Sequence, residues 1–126
     1  MLSKAIFSVL YIAVNLSAIA MNSERYLKLI RDNDISELSE DFNNSLQITT
    51  PGKGGVYSKS QAEIILTDFF SYHQPKSVSL SSRGQSSNGA QFVVLNVNSN
   101  RGNVKMSIFY RVNGSISRIH EIKIQK

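Results

Sequence analysis

The chain has 126 residues and no cysteine, which excludes a disulfide framework, thiol chemistry, a cysteine-based metal site and a lipid anchor carried on cysteine. Fourteen lysines and arginines against nine carboxylates give a net charge of +5. The charge is unevenly placed: residues 21–72 carry five basic and eight acidic residues, whereas residues 73–126 carry eight basic residues and one acid, Glu121. Such a basic half can steer acidic partners, or can be no more than a solvated face.

Residues 1–20, MLSKAIFSVLYIAVNLSAIA, place Lys4 ahead of an apolar run from Ala5 to Val14, followed by small residues at Ala18 and Ala20. That order is the pattern of a signal peptide with a cleavage site before Met21. The alternative is a retained membrane anchor, but Asn15 and Ser17 interrupt the run, which is short for a bilayer span. The reading predicts export, to the periplasm or beyond the cell. It leaves residues 21–126 as one small domain with one core and no transmembrane segment. An exported domain of this size without disulfides is more often bacterial.

Ser23 can cap a helix over ERYLKLIRD, with Tyr26, Leu27 and Ile30 as its apolar stripe. Asp34, with Glu37 three residues on, predicts a second helix presenting Ile35, Leu38 and Phe42. Asn43-Asn44 reads as a break, SLQITT as a short strand, PGKGG as a turn, and Val56-Tyr57 as a brief pairing partner.

The central helix has the clearest limits. Ser58 and Gln61 are spaced for a capping box and Pro75 stops the helix near Tyr72 to His73. Its buried stripe is predicted as Ala62, Ile65, Leu66, Phe69 and His73, with Phe70 and Tyr72 on the shoulders.

Beyond Pro75 the period changes to two. Strands are predicted around Val78 and Leu80, over QFVVLNVNS, over VKMSIFYRV and over SISRIHEIKI, forming a four-strand antiparallel meander. A type I′ turn at Asn113-Gly114 would pair Val112 with Ser115 and Ile108 with Ile119. Pairing Asn98 with Asn103 puts Val93, Leu95 and Val97 beside Ile108, Met106 and Val104 on the core face. Ile122 and Ile124 then have the wrong parity, which predicts a bulge near His120 and Glu121. The opposite face carries Phe92, Val94, Phe109 and Ile116, a candidate self-association patch, within a basic face of Lys105, Arg111 and Arg118.

Little chemistry is legible. Gly84 to Gly89 has the outer glycines of a phosphate loop, but Ala90 and Gln91 stand where lysine and serine or threonine are needed, so the segment reads as a hairpin turn. His73 and His120 lack partners at ligand spacing, so no metal and no cofactor are expected. No recognition motif points to nucleic acid.

The segment GVYSKSQAEIILTDFF, from Gly55 to Phe70, resembles a family of short exported Bacteroidota proteins known only as a domain of unknown function. The order of elements is similar to the nuclear transport factor 2-like, or cystatin-like, fold. The resemblance implies an α+β cone: a helical hairpin and a long central helix on a curved four-strand sheet with short extra strands. The wider superfamily includes isomerases and dehydratases with an acid, a tyrosine or a histidine in the cone.

The leading expectation is an exported, non-enzymatic binding or interaction module. Its pocket, suited to a small apolar ligand, would be lined by Ile65, Phe69, Met106, Ile108 and Tyr110, and its sheet face would pair two copies. The alternatives are a cofactor-free isomerase or dehydratase, with Tyr110 as donor and His120 or Glu121 as base, and an envelope module meeting anionic polymer through its basic face.

Overall fold

The computed structural model describes residues 21–126, and the signal-peptide reading of residues 1–20 lies outside the described residues. Helix α1 covers residues 21–31, followed by α2 at Ile35–Ser39, β1 at Phe42–Thr50, β2 at Lys53–Ser58 and α3 at Lys59–Tyr72. The chain ends in β3 at Pro75–Gln85, β4 at Gln91–Ser99, β5 at Gly102–Asn113 and β6 at Ile116–Gln125. All six strands belong to one sheet in the order β2-β1-β6-β5-β4-β3, which corrects the expected four-strand sheet with separate short strands. The join is a parallel pairing in which Gln47, Ile48 and Thr49 of β1 stand opposite Glu121, Ile122 and Lys123 of β6. No local pattern announces a pairing between strands so distant in sequence.

The capping box of α3 forms in both directions between Ser58 and Gln61, and His73 caps its C-terminus. The buried stripe is rotated from the expected one: Ala62, Leu66 and Phe70 are fully buried, while Ile65 and Phe69 are only partly so. Asp34 caps α2, its carboxylate accepting from the Glu37 amide at 3.1 Å. Ser23 is not a cap, because α1 is already helical at residue 21 and buries the hydroxyl. Phe42 opens β1 instead of extending α2. Asn43 and Asn44 lie within that strand, where its register against β6 shifts between Phe42 and Gln47.

Strands β4 and β5 pair as expected, with Asn98 opposite Asn103, and Val93, Leu95, Val97, Val104, Met106 and Ile108 are all buried. The β5–β6 hairpin closes one residue later than predicted. Asn113 pairs with Ile116, and the two-residue loop is Gly114-Ser115, with positive φ (66°) at Gly114 alone. A type I′ turn needs positive φ at both loop residues, so this loop has the II′ pattern. Val112 therefore faces Ser117, while Ile108, beyond the extra residue of the bulge, faces Ile122. The displacement preserves parity, so the bulge is still required. It occurs at His120, between the pairs Phe109–Glu121 and Tyr110–Ile119. This extra residue lets Ile119, Ile122 and Ile124 all reach the core from a strand flanked on both sides.

Candidate functional site

On the helix-covered face, one row of cross-strand partners near the β3–β4 turn runs Gln85, Gln91, Tyr110 and Ile119. Tyr110 is fully buried, and its ring meets Tyr26 of α1 edge to face at 5.3 Å. Tyr26 donates its hydroxyl hydrogen to Asp41 Oδ2 at 2.9 Å, and Arg25 Nη1 donates to the same oxygen at 2.5 Å. By contrast, Tyr110 Oη and Gln91 Oε1 are buried with no hydrogen-bond partner among the described residues. Each such group costs about 1–3 kcal/mol relative to a satisfied one. Arg83, opposite Val93 on the same face, donates from Nη1 to Ser23 Oγ at 3.1 Å.

Burial pushes the Tyr110 phenol up to about 12, with the Arg83 guanidinium acting in the opposite direction. Burial also drives Tyr26 upward, reinforced by the Asp41 carboxylate. Above pH 10 the unfolded chain loses phenolic protons that the folded protein still holds, so stability is complete below pH 10 and declines as pH rises towards 12. Thermal melts between pH 9 and 12 should show this decline, by roughly 1 kcal/mol per pH unit for each buried phenol. Tyr110→Phe should make it shallower. An unchanged slope would show that Tyr110 is not one of the linked groups.

On the open face Phe92 and Phe109 are cross-strand partners with ring centroids 6.3 Å apart, and Ile116 is exposed. Gly84 is not in the turn but in β3 opposite Phe92, where a Cβ would come within 3.2 Å of the ring. The glycine leaves room for the aromatic patch. Arg111 and Arg118 stand directly opposite each other, with Lys105 and Lys123 on the same face. Arg111 donates to Asn88 O at 3.2 Å and Arg118 to Ser117 O at 3.0 Å. Among the described residues every ion pair lies in the helical segment, and none of these four cations has a carboxylate partner. Arg118 also lines a polar cavity of about 300 Å³ with Asn22, Arg25, Asp41 and Ser117.

The expected pocket is not brought together. Met106, Ile108 and Tyr110 are fully buried on the inner face of the sheet. Ile65 and Phe69 instead line a cavity of about 300 Å³ on the side of α3 next to the β1–β2 hairpin, with Thr50, Lys53, Asp68, Tyr72 and His73. His73 stacks on Phe69 at 4.3 Å, and Arg101 lies 3.6 Å from the Tyr72 ring centroid. Lys53 and Asp68 make this cavity mixed in polarity. Nor does the isomerase arrangement form. Glu121 pairs with Phe109 on the open face, opposite to Tyr110, and His120 occupies the bulge, its imidazole pushed down by burial and by Arg111. Sequence reasoning missed Gln91 and Arg83, although their parity with Val93 was readable once β3 and β4 were aligned.

Among the described residues no group of three metal-ligating side chains occurs, and no helix is long and apolar enough to cross a membrane. A continuous sheet with helices packed on one face places the domain in the nuclear transport factor 2-like class of α+β folds. A designed protein of that type matches 83% of this chain and 94% of its own at 14% identity and a TM-score of 0.63. The family described as a domain of unknown function, DUF4783, matches residues 24–125, and the chain belongs to it. A DUF4783 protein from Bacteroides uniformis is similar over 82% of this chain and 94% of its own, at 23% identity and a TM-score of 0.74. One from Bacteroides ovatus is similar over 79% and 90%, at 19% identity and a TM-score of 0.73. No curated protein matches the chain.

Proposed function

We propose that this protein is an exported, non-enzymatic interaction module that presents the β5–β6 part of its open sheet face to an anionic polymer. The observation that carries the reading is the Arg111–Arg118 pair. Two like charges directly across an antiparallel pair are destabilising, and among the described residues neither arginine is in an ion pair, although Glu121 lies on the same face opposite Phe109. Lys105 and Lys123 extend the positive field, and Phe92 and Phe109 provide an apolar floor between them. A polyanion would remove the repulsion and release its counterions. Face-to-face pairing of two copies through Phe92, Val94, Phe109 and Ile116 is the weaker reading, because a two-fold interface would bring the same cations together. The order of charged, apolar and small residues in 1–20 supports export.

The purified protein should stay on an anionic polysaccharide matrix at moderate salt and pass through a neutral one. Arg111→Gln with Arg118→Gln should elute at markedly lower salt without losing thermal stability. Complete release of the unaltered protein at low salt, or an unchanged elution position for the double variant, would overturn the reading.

A further inference from the structure

We infer that the cavity between α3 and the β1–β2 hairpin is a binding site for a free α-amino acid with an aromatic side chain.

The cavity has a volume of about 300 Å³, at the lower end of the range for small-molecule sites. Two opposite charges line it, Lys53 from the hairpin and Asp68 from the helix, and both residues are exposed. They are not paired with each other, and among the described residues neither side chain has an ion-pair or hydrogen-bond partner. Asp68 also stands towards the C-terminal end of α3, where the helix dipole favours cations, and no basic residue occupies the last turn. A bound cation would correct that mismatch.

Much of the remaining wall is apolar and already held in place. Ile65 and Phe69 are half-buried, and the exposed Tyr72 ring stands beside them. Phe69 is stacked on His73 at 4.3 Å, and His73 Nδ1 lies 3.3 Å from the Phe69 carbonyl oxygen. Arg101 fixes Tyr72 by a cation–π contact at 3.6 Å and by donating from Nε to its carbonyl oxygen at 3.1 Å. Side chains ordered in advance lose little freedom when a ligand arrives. An aromatic ring suits this wall, since ring contacts add to the burial of apolar area. Lys53 meets the carboxylate of the ligand and Asp68 its ammonium, so one molecule satisfies both charges and the wall. The site shares no residue with the basic open face, and either can fail without the other.

The test is an amide chemical-shift titration of the isotope-labelled protein with L-phenylalanine, and separately with 3-phenylpropionate, which lacks the ammonium, and 2-phenylethylamine, which lacks the carboxylate. Saturable shifts are expected around Lys53, Asp68 and Tyr72, with L-phenylalanine about fivefold tighter than either analogue. The factor is modest because charge pairs open to solvent are screened. Asp68→Asn should bring phenylalanine and phenylpropionate to equal affinity, and Lys53→Gln should do the same for phenylalanine and phenylethylamine. Both side chains are exposed and unpartnered among the described residues, so both variants should fold and melt as the unaltered protein does. The inference is overturned by the absence of saturable shifts at this cavity, by equal affinity of the three ligands for the unaltered protein, or by a preference for the zwitterion that survives both substitutions.

Discussion

Phe70→Ala is expected to lower the stability of the domain by about 3–5 kcal/mol, whereas Phe69→Ala should cost no more than about half as much. The two rings are neighbours in sequence and meet edge to face at 5.1 Å, but only Phe70 is fully enclosed. Its removal leaves a cavity bounded by the sheet and the other helices. Phe69 lies along a cavity open to solvent, where the space left by truncation can be occupied by water. Small domains have total stabilities of only about 5–15 kcal/mol, so Phe70→Ala takes away a large share and should shift the urea midpoint strongly. If Phe69→Ala proves the more damaging, α3 is rotated the other way and the stripe centred on Phe69 is correct.

The second large effect belongs to Asp41. Asp41→Ala is expected to cost about 2–4 kcal/mol, because one carboxylate oxygen accepts from both Tyr26 and Arg25. Arg25 is partly exposed and can turn to water or to Glu37, 3.6 Å away. Tyr26 is fully buried and has no such escape. Most of the cost is therefore the stranded Tyr26 hydroxyl. A double-mutant cycle isolates it: Tyr26→Phe should be destabilising in the unaltered protein but close to neutral once Asp41 is alanine. Equal effects of Tyr26→Phe in both backgrounds would show that the hydrogen bond does not couple them. The contrast with Tyr110 is instructive. The two tyrosines touch and both are buried, yet one has an acceptor in Asp41, the residue before β1, and the other has none among the described residues.

The parts of the fold legible in the sequence were those written in short-range chemistry. Ser58 with Gln61 and Asp34 with Glu37 are spaced to cap, and they do so wherever the helices come to rest. Alternation in QFVVLNVNS and VKMSIFYRV assigns faces because successive side chains in a strand point to opposite sides. The bulge at His120 followed from parity alone, since Ile119 and Ile122 could not otherwise share a face. Even the hairpin error at Asn113-Gly114 was small, because turn type depends on backbone angles that residue identity biases without dictating.

What only the tertiary structure decided involves contacts between distant segments. The parallel pairing of β1 with β6 makes one six-strand sheet and carries β1 past Asn43 and Asn44. The pairs on either side, Phe42 with Ile119 and Gln47 with Glu121, hold the strand across those two residues, which fall in the register shift. The choice of Phe70 over Phe69 depended on the direction from which the sheet meets α3, since both lie within one broad helical stripe. The grouping of polar residues on the helix-covered face was invisible for the same reason. Arg83, Gln91 and Tyr110 are ordinary strand residues until three neighbouring strands bring them together, and only then is it apparent that Gln91 Oε1 and Tyr110 Oη have no partner among the described residues.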